Sequence, residues 1–115
     1  MYMNNRDIQI IKKILNEITI ALKMMENISK SYFLRDEKLQ RALCMTLINI
    51  GELVKSITNE TKKMYNNIPW REISGLRDIA AHKYQTLKME DVYTTIINDL
   101  PQLKFEIEKI LIEIE

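Results

Sequence analysis

Arg77, Asp78, His82 and Tyr84 crowd into one short stretch, Arg77-Asp-Ile-Ala-Ala-His-Lys-Tyr84, and His82 is the only histidine in the chain. An imidazole takes up and releases protons near neutral pH, and a guanidinium forks onto phosphate oxygens. That pair suits RNA phosphodiester cleavage without a metal. Such cleavage needs a base for the 2′-hydroxyl proton, an acid for the leaving 5′-oxygen, and fixed positive charge on the phosphorane. One histidine per chain fills only one of the two proton-transfer posts. A two-fold dimer supplies two of each group.

Helix geometry sharpens this. Successive residues advance about 100°, so Arg77 and His82 stand roughly 140° apart with about 7.5 Å of rise between them. They do not stack as an i,i+4 pair. Asp78 is the i,i+4 neighbour of His82, where a carboxylate would hold one ring nitrogen and fix the tautomer. From the pattern alone, a single histidine near a helix end is more often a cap or a surface residue than a catalyst, and Tyr84 could equally be packing.

Other chemistries are poorly provided for. The single Cys44 excludes an intrachain disulfide framework and any cysteine-based zinc site. It lies among apolar residues, as a buried, inert thiol would. One histidine and one cysteine far apart make an incomplete zinc set, and there is no glycine-rich phosphate loop, so neither metal nor cofactor is expected. Net charge is +1, which withholds the global basic character of many nucleic-acid binders. Locally, residues 60–88 carry a net +3 and residues 89–115 a net −5.

The elements that must position these groups read as helices. The chain has 115 residues, 46% hydrophobic and 29% charged, which suits one domain spanning 1–115. Only two glycines and two prolines favour long helices over a sheet with frequent turns. A first helix is expected from Asn5 to Asn27. Ile8, Ile11, Leu15, Ile18, Leu22 and Met25 form its apolar stripe, and Ile10, Ile14, Ile20 and Met24 widen it toward a second neighbour. Ser29 to Arg35 reads as a connection. A second helix runs from an Asp36 N-cap to Ile57, with Leu39, Leu43, Leu47, Ile50, Val54 and Ile57 inward and Met45 and Leu53 beside them.

Gly51 inside that helix costs about 1 kcal/mol relative to alanine, which suggests a close backbone approach there. Thr58 to Asn67 is polar. Pro69 opens the next helix, whose apolar face runs from Trp70 to Ala80. Gly75 leaves open a break into two pieces. The last helix starts near Lys88 and is kinked, or restarted, at Pro101. The sum is an all-α, up-and-down bundle. The longest uncharged run, Ala42 to Gly51, falls far short of the roughly 20 residues of a membrane span. With no signal-peptide core at the N-terminus and one cysteine, the cytoplasm is the expected compartment.

Three groups of residues carry a family resemblance. Ile50-Gly-Glu52, then Ile68-Pro-Trp-Arg-Glu-Ile-Ser-Gly-Leu-Arg-Asp-Ile-Ala-Ala-His-Lys-Tyr84, then Asp99-Leu-Pro101 resemble the HepT toxins of the HEPN superfamily. The family pattern has a Gly-Glu, a Pro-Trp-Arg, an Arg-x4-His-x-Tyr and a late Leu-Pro, in that order. This chain departs from it with Lys83, where glycine is frequent, and Tyr93, where tryptophan is frequent. The resemblance implies an all-α HEPN fold and a homodimer whose two motifs line a shared cleft. It also implies a metal-independent ribonuclease toxin acting on RNA, with Arg77 and His82 as the catalytic pair and Asp78 in support. The implied partner is an MntA-like nucleotidyltransferase antitoxin that silences the toxin by moving AMP from ATP to Tyr84. The competing expectation is a non-catalytic subunit whose dimer cleft binds a nucleotide or holds a nucleotidyltransferase, with Arg77 contacting phosphate without catalysis. A plain helical assembly module is the third.

Overall fold

Asp36 caps the second long helix as its place before Glu37 predicts, its carboxylate accepting the Leu39 N–H at 3.1 Å. The computed structural model describes residues 3–82 and 88–114, with the side chains of residues 79–82 outside the description. Within them the order is α1 (Asn5–Met24), α2 (Lys30–Phe33), α3 (Glu37–Lys55), α4 (Asn59–Met64), α5 (Trp70–His82), α6 (Met89–Thr94), a π-helical turn (Thr95–Asp99) and α7 (Leu100–Glu113). No strand occurs among the described residues, and the architecture is the expected all-α helical bundle.

The core explains the arrangement. α1 packs against both α3 and α7, and α3 in turn packs against α5. A helix with two neighbours needs a wide apolar stripe. Ile10, Ile11, Ile14, Ile18 and Ala21 are accordingly all buried, while Ile8, Leu15 and Leu22 pack against that core half-buried. Across from them, Leu43, Leu47, Ile50 and Val54 of α3 and Leu103, Ile107 and Ile110 of α7 complete the interior. Ile20 and Met45 were expected near the core and are instead exposed.

Two connections that read as irregular are short helices. Ser29 caps α2 by accepting the Tyr32 N–H, which seats Phe33 fully in the core. Thr58 caps α4 in the same way. Gly75 does not divide α5, which is continuous through it, and a Cβ added there meets nothing within 4 Å. Gly75→Ala should therefore stabilise the protein by about 0.5–1 kcal/mol through helix propensity alone. A thermal melt showing a lowered midpoint would contradict this.

Near the C-terminus the chain widens before it reaches its proline. Pro101 has no N–H to give, and its ring crowds the carbonyl one turn back. The helix meets this with the π turn, where the Leu100 N–H reaches the Thr95 carbonyl, and Pro101 then sits in the first turn of α7.

The most consequential buried polar group is Asp7, fully enclosed on α1. Its carboxylate accepts the hydroxyls of Thr58 and Thr61, each at 2.6 Å, and the Thr58 N–H at 3.3 Å. This ties α1 to the start of α4. Burial pushes the carboxyl up, but the hydrogen bonds from Thr58 and Thr61, helped by Arg6, outweigh it and hold it below the usual carboxylate range. A lowered folded pKa stabilises the native state above the unfolded value near ~3.9, and that stability is lost as pH falls through the folded value. Asp7→Ala should cost roughly 2–3 kcal/mol at neutral pH, because it strands the buried Thr61 hydroxyl and the half-buried hydroxyl and N–H of Thr58. It should also flatten the acid limb of stability against pH, measured by urea unfolding from pH 7 down to 2.

Candidate active site

α5 is fixed first at its start. The Trp70 indole N–H donates to the carbonyls of Lys62 at 3.2 Å and Tyr65 at 3.0 Å, so α4 anchors the first turn of α5. Pro69 immediately precedes that turn, and its carbonyl accepts the Ile73 N–H at 3.1 Å. One turn further on, α5 lies directly on α3. A Cβ built on Gly51 would stand 2.7 Å from the Arg77 backbone nitrogen, 2.8 Å from the Arg77 Cβ and 3.1 Å from the Ser74 carbonyl oxygen. The close approach expected at Gly51 is thus an approach by Arg77 itself.

The residue after Gly51 completes the arrangement. Glu52 places its carboxylate against the Arg77 Nε, and Arg77 Nη1 donates to Asp78 Oδ1 at 3.1 Å. The guanidinium is therefore held by two carboxylates from two helices. With Arg77 31% exposed and Glu52 52% exposed, solvent screens the pair, and its contribution to stability is at most about 1 kcal/mol. Its effect is orientation. A guanidinium has five N–H donors, so two carboxylates do not exhaust its capacity for a phosphate.

Of the residues singled out in the sequence, the structure brings Arg77 and Asp78 together. It puts His82 on the same unbroken helix as Arg77, at the last position of α5. The His82 side chain lies outside the described structure, as does Tyr84. Asp78 accepts from Arg77, and its expected contact with His82 lies outside the described residues. Glu52, which the sequence offers only within the Ile50-Gly-Glu52 group, is the partner of Arg77 from α3. The signal was its adjacency to a glycine buried in a helix interior.

Beside Glu52, a groove of about 420 Å³ runs between α1 and α3, lined by Lys13, Asn16, Glu17, Asn49, Glu52 and Leu53. Asn49 donates to Glu17 across it at 2.7 Å. Cys44 is buried on α3, and burial pushes its thiol up, away from nucleophilic use. Among the described residues no group of histidine, cysteine and carboxylate side chains is placed to hold a metal ion.

Comparison with known proteins follows this geometry. A family profile described as Ribonuclease HepT-like matches residues 8–110. A probable ribonuclease HepT of Thermococcus cleftensis is 34% identical over 103 residues, covering 86% of this chain and 94% of that protein. A candidate RNase of Caldanaerobacter subterraneus subsp. tengcongensis is 32% identical over 101 residues, 88% of this chain and 90% of the other. A candidate RNase of Methanocaldococcus jannaschii is 31% identical over 114 residues, 98% and 94% of the two chains. No solved structure matches.

Proposed function

The chain belongs to the ribonuclease HepT-like family, and from that premise we propose that it is an endoribonuclease of toxin type, built as one helical unit over residues 1–115. The observation that carries the reading is the Arg77 guanidinium. The Arg77 backbone is seated against α3 at Gly51, its guanidinium is oriented by Glu52 and Asp78 and partly open to solvent, and the residue shares a helix with His82.

In the proposed reaction the RNA 2′-oxygen attacks the adjacent phosphorus while the P–O5′ bond breaks. An imidazole accepts the 2′-hydroxyl proton and an imidazolium protonates the departing 5′-oxygen. The products are a 2′,3′-cyclic phosphate and a 5′-hydroxyl. Arg77 meets the negative charge that builds on the equatorial oxygens. His82 provides one of the two proton-transfer groups. A second copy in a two-fold dimer provides the other, so the pair of motifs works as one cleft.

Tyr84 is the proposed regulatory point. A nucleotidyltransferase partner of the MntA type would join the Tyr84 hydroxyl oxygen to the α-phosphorus of ATP. The α–β anhydride breaks, pyrophosphate leaves and the phenolic proton is lost. An AMP group there adds negative charge two residues past His82 in the sequence, which would oppose binding of the RNA phosphate. The enzyme acts in the cytoplasm in this reading, and among the described residues no helix is long and apolar enough to cross a membrane.

The test is direct. Purified, unmodified chain should cut RNA in EDTA and leave 2′,3′-cyclic phosphate ends. Co-expression with the nucleotidyltransferase should raise its intact mass by whole AMP units, and Tyr84→Phe should abolish that increment. Absence of cleavage by unmodified protein, with the adduct still forming, would favour the non-catalytic binding subunit instead.

A further inference from the structure

α5 packs on α3, and between α5 and the π turn with α7 the surface falls into a groove of about 350 Å³. Its floor is apolar, built from Ile73 and Leu76 of α5 and Leu100 and Leu103 of α7. Its rim is acidic. Glu72, Asp99 and Glu106 line it, and among the described residues no lysine or arginine does. Glu106 is held in place by Asn67 at 2.8 Å and Gln102 at 3.3 Å, with Lys109 3.8 Å away outside the groove. Asp99 and Glu106 belong to the C-terminal part of the chain, where residues 89–115 carry net −5, and Glu72 reaches the rim from α5.

We propose that this groove is a docking site for an amphipathic helical segment of a protein partner, one that presents apolar side chains flanked by lysine or arginine. Three occupants compete, and charge decides among them. RNA is a polyanion, and three carboxylates at the rim repel it. A second copy of this chain meeting the groove two-fold would set Glu72, Asp99 and Glu106 against themselves, a like-charge match that disfavours it. A basic, apolar helix meets opposite charge at the rim and hydrophobic surface on the floor. A cleft between two helices suits anchors at i, i+3 or i+4 and i+7. An occupant seated here would grip α5, the helix that carries Arg77.

The probe is an 18-residue synthetic peptide with leucines along one helical face and lysines flanking them, compared with the same peptide bearing glutamate for lysine. Methyl-resolved NMR of the intact chain should show shifts gathered at Ile73, Leu76, Leu100 and Leu103 with the lysine peptide and none with the glutamate peptide. The double variant Glu72→Lys/Asp99→Lys changes two exposed side chains, so the fold should persist by circular dichroism, and binding should weaken at least tenfold. The proposal is overturned if the glutamate peptide binds equally or if shifts gather elsewhere. It is also overturned if the variant binds undiminished, if a short oligoribonucleotide moves the groove methyls, or if sedimentation shows a dimer that the double variant dissociates.

Discussion

Arg77→Ala should lower the rate of RNA cleavage about 10²–10³-fold, the usual cost of removing one preorganised group that stabilises developing charge. It should do so while leaving helix content and the melting midpoint nearly unchanged. The reason is the exposure of the ion pair: solvent screens Arg77 and Glu52, so little stability is lost with the guanidinium. Arg77→Lys should recover only a small part of the rate. A lysine keeps one positive charge but has no Nε to face Glu52 and no planar fork to meet two phosphate oxygens. His82→Ala should lose about 10²–10⁴-fold through the missing proton transfer. Glu52→Gln should fall between wild type and Arg77→Ala, because it leaves the guanidinium in place but weakens what aims it. The measurement is cleavage of an end-labelled RNA in EDTA, with circular dichroism on each variant. Undiminished cutting by folded Arg77→Ala protein would remove the proposed mechanism.

Much of this was legible in the sequence, for identifiable physical reasons. Helix starts were readable where a capping residue precedes an apolar period, as at Asp36. Gly51 announced a close approach because glycine is otherwise costly inside a helix. What the sequence left unsaid was which backbone approaches. That depends on α5 lying across α3, a contact between residues 26 positions apart in sequence. The role of Glu52 is hidden in the sequence for the same reason, since a carboxylate on a helix is solvated unless another element reaches it.

Asp7 shows the limit most clearly. It sits at the start of an amphipathic helix, where an acidic residue is welcome on dipole grounds alone. Its burial comes from Thr58 and Thr61, donors more than 50 positions away that no local pattern could assign. Met45 and Ile20 erred in the opposite direction. Both are apolar and near the expected stripe, yet α1 and α3 turn them outward because the facing helices lie elsewhere. At the C-terminus, Pro101 foretold an irregularity, and the structure resolves it as a widened turn ahead of the proline.

The second large effect belongs to Gly51→Ala, which should damage the site more than the fold. The added methyl carbon would lie 2.7 Å from the Arg77 nitrogen and 2.8 Å from its Cβ. These atoms belong to α5 close to its axis, and no rotamer change moves them aside, so the helix itself must shift. Overpacking of this kind costs about 1–3 kcal/mol, and alanine's better helix propensity returns about 1 kcal/mol. The net loss is modest, a fall in melting midpoint of several degrees for a chain of this size. The displacement, however, acts at the base of Arg77 and carries the guanidinium away from Glu52. A misplacement of about 1 Å in such a group lowers rate on the order of 100-fold. Cleavage should therefore collapse even at temperatures well below the variant's melting point, where nearly every molecule is folded. Gly75→Ala, on the same pair of helices but with open space around it, should keep full activity and melt higher. If Gly51→Ala protein cut RNA at the wild-type rate with an unchanged or raised midpoint, the tight seat of Arg77 on α3 would have no part in catalysis.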